Sequence, residues 1–171
     1  MKISRAWAMP SKRTFEIKPI SELLDRWLEG RGSVVDPFAR LSERAHYRND
    51  LNPSAPTPYH MEAADFCLHL QSLGVRADAV LFDPPYSPRQ ISEAYQSVGR
   101  AATRTDTQNG RLYREVKDGL AGLLEESGIS VSCGWNTSGF GVGRGFEIEE
   151  VLIVCHGGAH NDTLVVVERK V

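Results

Sequence analysis

Apolar residues recur at helical spacing in three stretches of the chain and gather into short runs in several others. Ile20, Leu23, Leu24, Trp27 and Leu28 fall on one face of a 3.6-residue period, so a helix is expected over 19–28, ended by Gly30 and Gly32. Ala63, Phe66, Cys67, Leu70 and Leu73 predict a second helix over 62–73, closed by Gly74. Residues 112–124 predict a third amphipathic helix, stopped by Gly128, and a shorter one is expected near 91–98. The runs between them read as strands. Ser33-Val34-Val35 ends at Asp36, a weaker strand covers 46–50, and Ala79–Phe82 ends at Asp83. Ile129–Cys133 alternates, and 149–155 and 163–168 flank a turn-rich loop from His156 to Asp162, which makes them a hairpin. Residues 1–18 show no clear period, and 134–145 are rich in glycine.

Strands alternating with helices predict an α/β chain with a Rossmann-like, mostly parallel, doubly wound sheet. The terminal hairpin adds an antiparallel strand. At 171 residues the chain reads as one domain, with no repeat and no separate target-recognition domain evident. The long polar stretch 87–110 breaks the pattern. Gly99 and Gly110 bracket residues with little apolar surface, so 96–110 is expected to be a mobile lid that closes over nucleic acid.

Charge narrows the possibilities. The net charge of −2 argues against polyanion binding by the chain as a whole, so a nucleic-acid role needs a local basic patch. Residues 87–117 hold such an excess. Arg89, Arg100 and Arg104 there suit phosphate contacts, and a solvated helix face suits them equally. Cys67, Cys133 and Cys155 lack CxxC spacing and read as buried free thiols of a reducing compartment. No apolar run is long enough for a bilayer and the N-terminus has no signal-peptide core, so a cytoplasmic, non-membrane protein is expected. His156, His160 and Asp162 have metal-ligand chemistry without ligand spacing, and no metal is expected.

Ligands of doubly wound sheets bind beyond the carboxyl ends of the strands. Asp36, Asp50, Asp83, Trp135 with Asn136, and His156 stand at those ends. Carboxylates there can accept hydrogen bonds from ribose hydroxyls or an ammonium group. The first crossover has neither GxGxxG nor GK[ST], which disfavours NAD(P) and ATP and favours a cationic nucleoside such as S-adenosylmethionine. Asp36 before Pro37 and Asp50 before Asn52-Pro53 also suit turns.

Phe82-Asp83-Pro84-Pro85-Tyr86, at the end of an apolar strand, resembles the catalytic motif of the DNA amino-methyltransferases, and of the adenine-N6 type most. Val34–Ala39 resembles the start of that family's cofactor motif, DPFxGxG, and Asn49–Pro53 its acidic second-strand end. These matches span residues 33–90. Trp7–Pro10, Ile17–Ile20 and Glu150–Glu168 resemble small phage-type members. Arg40 stands where the family has glycine, and the second glycine is absent too.

The resemblance implies S-adenosylmethionine as cofactor and DNA as partner. It implies catalysis by Asp83, Pro84, Pro85 and Tyr86, with Asp36, Pro37 and Phe38 beside the methionine part and Asp50 on the ribose. Glu62 is a candidate for the cofactor's adenine amine, although it and Asp65 also suit a helix N-terminus. Phe15 and Lys18 are candidates for the methionine end. Chemically, the adenine amine is a poor nucleophile because its lone pair is delocalised into the ring. Asp83 and the Pro84 carbonyl could accept its two N–H bonds and turn that lone pair toward a methyl donor. Pro85 lacks an N–H and stiffens the turn, and Tyr86 offers a stacking face worth about 1–3 kcal/mol. Two other readings stay open: an RNA base methyltransferase, and a non-catalytic cofactor-binding or partner subunit.

Overall fold

The structure is a computed structural model that describes residues 1–101, 110–158 and 160–171. The expected lid falls largely on 102–109, and with Arg104 it lies outside the described residues. Seven strands form one sheet: β1 (Lys2–Trp7), β2 (Val34–Asp36), β3 (Tyr47–Arg48), β4 (Ala77–Phe82), β5 (Leu124–Gly134), β6 (Phe146–Cys155) and β7 (Thr163–Lys170). Their order is β1-β6-β7-β5-β4-β2-β3. β7 is antiparallel to both β5 and β6, and every other pair is parallel. This is the expected architecture, with one addition. Residues 2–7 form an edge strand against β6. The sequence hides it because Ile3 and Trp7 point to solvent and the half-buried positions carry only Ser4 and Ala6.

Helices cover both faces. α1 (Lys18–Leu28) lies on one, and α2 (Ala63–Ser72) with α4 (Gly110–Leu123) on the other, while α3 (Pro88–Ser97) follows the β4 turn. Side chains of β4 alternate between the faces. Ala79 and Leu81 pack with Ile20, Leu23 and Leu24 of α1. Val80 and Phe82 pack with Phe66 of α2 and Leu120 of α4. A strand buried on both faces explains the unbroken apolar run before Asp83. The three cysteines are buried free thiols. Among the described residues no helix is long and apolar enough to cross a membrane.

The chain leaves β2 outward to β3, then returns to lay β4 on the other side of β2. That reversal is a topological switch point, and it opens a crevice beyond the carboxyl ends of β2 and β4. Asp36 ends β2 and Asp83 follows β4.

A buried carboxylate fastens the opposite edge. Glu150 of β6 accepts bonds from Arg26 at 3.1 and 3.2 Å and from the Trp27 indole at 2.9 Å, and Lys2 lies 3.0 Å away. Burial alone raises the pKa of this carboxyl, but the bonds from Arg26, Trp27 and Lys2 outweigh it and hold the pKa at about 2. A depressed folded-state pKa stabilises the fold above the ordinary carboxylate range. That contribution is lost as pH falls from the ordinary value through about 2. Glu150→Gln is therefore expected to lose about 1–3 kcal/mol at pH 7 and to show a shallower loss of stability in acid than the unaltered protein. Urea midpoints at pH 7, 4 and 2.5 check both.

A candidate cofactor and base pocket

A cleft of about 860 Å³ occupies the switch point. Its walls come from the segments that follow β1 to β6 at the carboxyl end of the sheet.

Asp36 is wholly buried, with Pro37 and Phe38 forming the cleft wall above it. Its Oδ1 accepts from the Phe38 N–H at 3.0 Å, and its Oδ2 has no partner among the described residues. Burial pushes this carboxyl up to about 8, with the Phe38 bond opposing and the nearby Asp83 and Asp50 adding to the rise. Buried Asn49 ties the neighbouring segments together. Its amide donates to the carbonyls of Pro37 (3.1 Å) and Met61 (2.9 Å) and accepts from the Met61 N–H (3.0 Å).

Arg40 sits at φ +52°, a left-handed conformation that glycine adopts without strain. An arginine in this conformation carries a cost of about 1–2 kcal/mol. Its backbone N–H donates to Asp50 at 3.1 Å and its guanidinium reaches the Lys12 carbonyl at 2.8 Å. Asp50 also accepts from the Asn52 N–H at 2.9 Å. The turn chemistry read at Asp50 is therefore present, and the same carboxylate lines the cleft.

Glu62 stands at the N-cap of α2 without capping it through its side chain. Its carboxylate instead accepts from the Tyr95 hydroxyl at 3.2 Å and pairs with Arg100 at 2.8 Å. Arg100 also lies over the Tyr95 ring, 5.2 Å from its centroid. Arg89 pairs with Glu93 on the exposed face of α3 at 2.8 Å. Two of the three arginines expected at phosphates thus hold carboxylates of the chain itself.

The turn after β4 carries Asp83, half-buried at the cleft floor and bonded by the Tyr86 hydroxyl. Burial pushes the Asp83 carboxyl up to about 6, against the pull of a Thr14 hydrogen bond and the Arg40 charge. The turn is stiffened at both ends. Gln90 accepts from the N–H groups of Tyr86 (2.7 Å) and Ser87 (3.2 Å), and the Tyr113 hydroxyl donates to the Pro85 carbonyl. Tyr86 packs on Trp135 with ring centroids 5.8 Å apart. His156 closes the far wall, its Nδ1 2.8 Å from the Ala8 carbonyl and its Nε2 2.8 Å from the Thr163 hydroxyl. A carbonyl can only accept, so Nδ1 carries a proton.

The cleft brings together Pro37, Phe38, Asp50, Glu62 and Asp83 through Tyr86, with Asp36 beneath it. Two assignments move. Phe15 is buried in the core, and Lys18 is exposed and 3.9 Å from Glu22. A short 3₁₀ turn over Thr14–Glu16 directs Thr14 into the cleft in their place, together with Ile17. Trp135, Tyr95, Tyr113 and Gln90 are further wall residues. Of these only Trp135 carries a sequence signal, its place just past a strand end. Among the described residues no group of three or more His, Cys, Asp or Glu could hold a metal ion.

No protein-family model and no curated protein sequence matches the chain. Solved structures do. TrmN from Thermus thermophilus superposes with a TM-score of 0.56 at 18% identity, over 91% of this chain and 49% of TrmN. NSun6 from Pyrococcus horikoshii, solved with SFG, gives 0.56 at 15% identity, over 88% and 51%. The N-methyltransferase NodS from Bradyrhizobium japonicum WM9, in complex with S-adenosyl-L-homocysteine, gives 0.57 at 12% identity, over 94% and 89%. The chain thus spans about half the length of TrmN and NSun6 and most of NodS. At these identities the shared property is the architecture: the chain has the Rossmann-like fold of the S-adenosylmethionine-dependent methyltransferases.

Proposed function

We propose that the chain is an S-adenosylmethionine-dependent methyltransferase that modifies the exocyclic N6 amine of adenine in DNA. The observation that carries this reading is the placement of Asp83. It stands with Tyr86 at the carboxyl end of β4, in one cleft with Asp50 and Glu62 at the switch point of a methyltransferase fold.

The residues present fit a cationic nucleoside. Asp36 has a buried oxygen without a partner, which an ammonium group or a bridging water at this end of the cleft would satisfy. Asp50 would hold the ribose hydroxyls, Phe38 would line the methionine side, and Glu62 would reach the adenine amine. Bound there, S-adenosylmethionine supplies an electrophilic methyl group.

Asp83 does the chain's part of the chemistry. As a carboxylate it accepts one N–H of the target amine, and the Pro84 carbonyl accepts the other. The nitrogen lone pair is then directed out of the ring plane. The positive charge that develops on nitrogen strengthens the Asp83 bond as the reaction proceeds, so the interaction favours the transition state, and the methylated nitrogen then gives its surplus proton to the Asp83 carboxylate and on to solvent. The Tyr86 face stacks on a base extruded from the helix. With Asp83 raised to about 6, kcat/KM is expected to rise through about pH 6 and level off above it, because only the ionised acid offers the negative charge that meets the developing cation. A pH series from 5 to 8 checks this, and a flat profile counts against Asp83 as the acceptor.

Incubation with methyl-labelled S-adenosylmethionine and matched DNA and RNA oligonucleotides tests the function itself. N6-methyladenine in DNA is the expected product. Label on RNA alone, or on no nucleic acid, overturns the reading.

A further inference from the structure

A surface rich in aromatic and basic residues runs from the cleft mouth along the outer edge of the sheet. Five of the first eighteen residues are Lys or Arg and one is acidic, although the chain's net charge is −2. β1 is an edge strand, and Trp7 at its end is 67% exposed, with Met9 beyond it at 68%. Trp7 pairs in register with Cys155, and its indole Nε1 lies 3.4 Å from where a Cβ on Gly157 would be. It therefore borders the His156–Asp162 loop, which supplies His156 and His160 to the cleft wall. Trp135, 46% exposed, stands at the end of β5 against Tyr86.

Both indoles thus stand at the edge of the sheet that carries Asp83. β7 and β6 separate β5 from β1. At about 4.8 Å per strand the ends of β5 and β1 that carry them are roughly 14 Å apart, or about four base rises of ~3.4 Å. Lys12 lies on the cleft rim, exposed and without a carboxylate partner among the described residues. Arg89 and Arg100, which follow the catalytic turn, are already paired with Glu93 and Glu62.

We propose that this edge is the track for the DNA strand flanking the target base. Trp135 stacks on the nucleotide beside the base in the cleft, Trp7 stacks on one farther along, and Lys12 meets a phosphate between them. The inference rests on the DNA methyltransferase reading above. Spaced aromatic rings beside a free cation suit a strand, because every base offers a π-face and every linkage a negative charge. A second copy of the chain fits less well. Two-fold pairing of β1 with itself brings Lys2 and Arg5 of both copies onto one short ladder, where like charges repel.

Fluorescence anisotropy with a labelled single-stranded oligodeoxynucleotide at several salt concentrations tests the track. Trp7→Ala and Trp135→Ala are each expected to weaken binding about tenfold, the scale of one lost base–aromatic stack. Trp7→Phe keeps a ring and is expected to retain most of the affinity. Lys12→Ala is expected to reduce the salt slope by about one. The Trp7 variants should keep the melting temperature and the S-adenosylmethionine affinity of the unaltered protein, because Trp7 lies outside the core and outside the cofactor end of the cleft. DNA binding that survives Trp7→Ala unchanged overturns the track and leaves the methyltransferase reading standing. Tighter binding of the matching ribo-oligonucleotide, or a dimer that Trp7→Ala breaks, overturns DNA as the occupant. No DNA binding by the unaltered protein overturns both the track and the reading beneath it.

Discussion

Asp83→Ala is expected to lower methyl transfer by about a hundredfold to a thousandfold or more, the scale on which a preorganised electrostatic partner of a transition state is lost. S-adenosylmethionine should bind the variant nearly as well as the unaltered protein. The reason is positional. Asp83 lies beside Tyr86 and Trp135, whereas Asp50 and Glu62 lie on the loops after β3 and before α2. An interaction made mainly in the transition state appears in kcat and not in ligand affinity. Asp83→Asn separates charge from shape. It keeps an acceptor oxygen but removes the negative charge that meets the developing cation, so it should remain severely impaired and should lose the rise in rate through pH 6. Tyr86→Phe removes the hydroxyl that bonds Asp83 but keeps the ring, and it should cost far less than Tyr86→Ala. Single-turnover transfer to an adenine-containing oligonucleotide, with calorimetry of the cofactor on the same samples, checks these outcomes. Near-native turnover by Asp83→Ala would end the catalytic reading.

Much of this arrangement is legible in the chain because it rests on periodicity and on strand ends. The helical stripes of α1, α2 and α4 and the unbroken apolar run of β4 are direct consequences of one-sided and two-sided burial. The acids at 36, 50 and 83 follow from where those runs stop. β1 is illegible for the opposite reason, since an edge strand that turns Ile3 and Trp7 outward has no burial pattern to read. Phe15 and Lys18 sit one residue off the positions that reach the cleft, because a single 3₁₀ turn decides which of Thr14, Phe15 and Ile17 face it. Tertiary partners are harder still. Nothing in the sequence joins Tyr113 to Pro85, Tyr95 to Glu62 or Gln90 to the Tyr86 N–H, for each bond depends on how α3 and α4 are set against the sheet. Arg100 shows the same limit. A cation in a polar run looks free for phosphate until the fold puts Glu62 beside it. Arg40 is instructive in another way, because its left-handed backbone conformation is one that glycine adopts without strain and that nothing in the residue's own identity announces.

Asp50→Ala is expected to weaken S-adenosylmethionine binding by about tenfold to a hundredfold, the equivalent of a lost charge-assisted bond of about 1.5–3 kcal/mol. The carboxylate lines the cleft at the end of the loop after β3, where a ribose would face it. It also accepts from the N–H groups of Arg40 and Asn52, so the substitution loosens two turns as well as removing the charge. The two effects can be told apart. Loosened turns lower the melting temperature and weaken every ligand of the cleft alike. A lost ribose contact weakens only ligands that carry the hydroxyls. The 2′-deoxy analogue of the cofactor should bind the unaltered protein less well than S-adenosylmethionine does. Against Asp50→Ala the two ligands should differ much less, since groups that interact directly do not contribute independently. Asp50→Asn keeps an acceptor for one of the backbone N–H groups and should fall between. Calorimetry of both ligands against the three proteins supplies the comparison. An Asp50→Ala variant that is folded and binds S-adenosylmethionine with unaltered affinity would remove the ribose role and leave Asp50 as a turn residue, holding Arg40 in its left-handed conformation at the rim of the cleft.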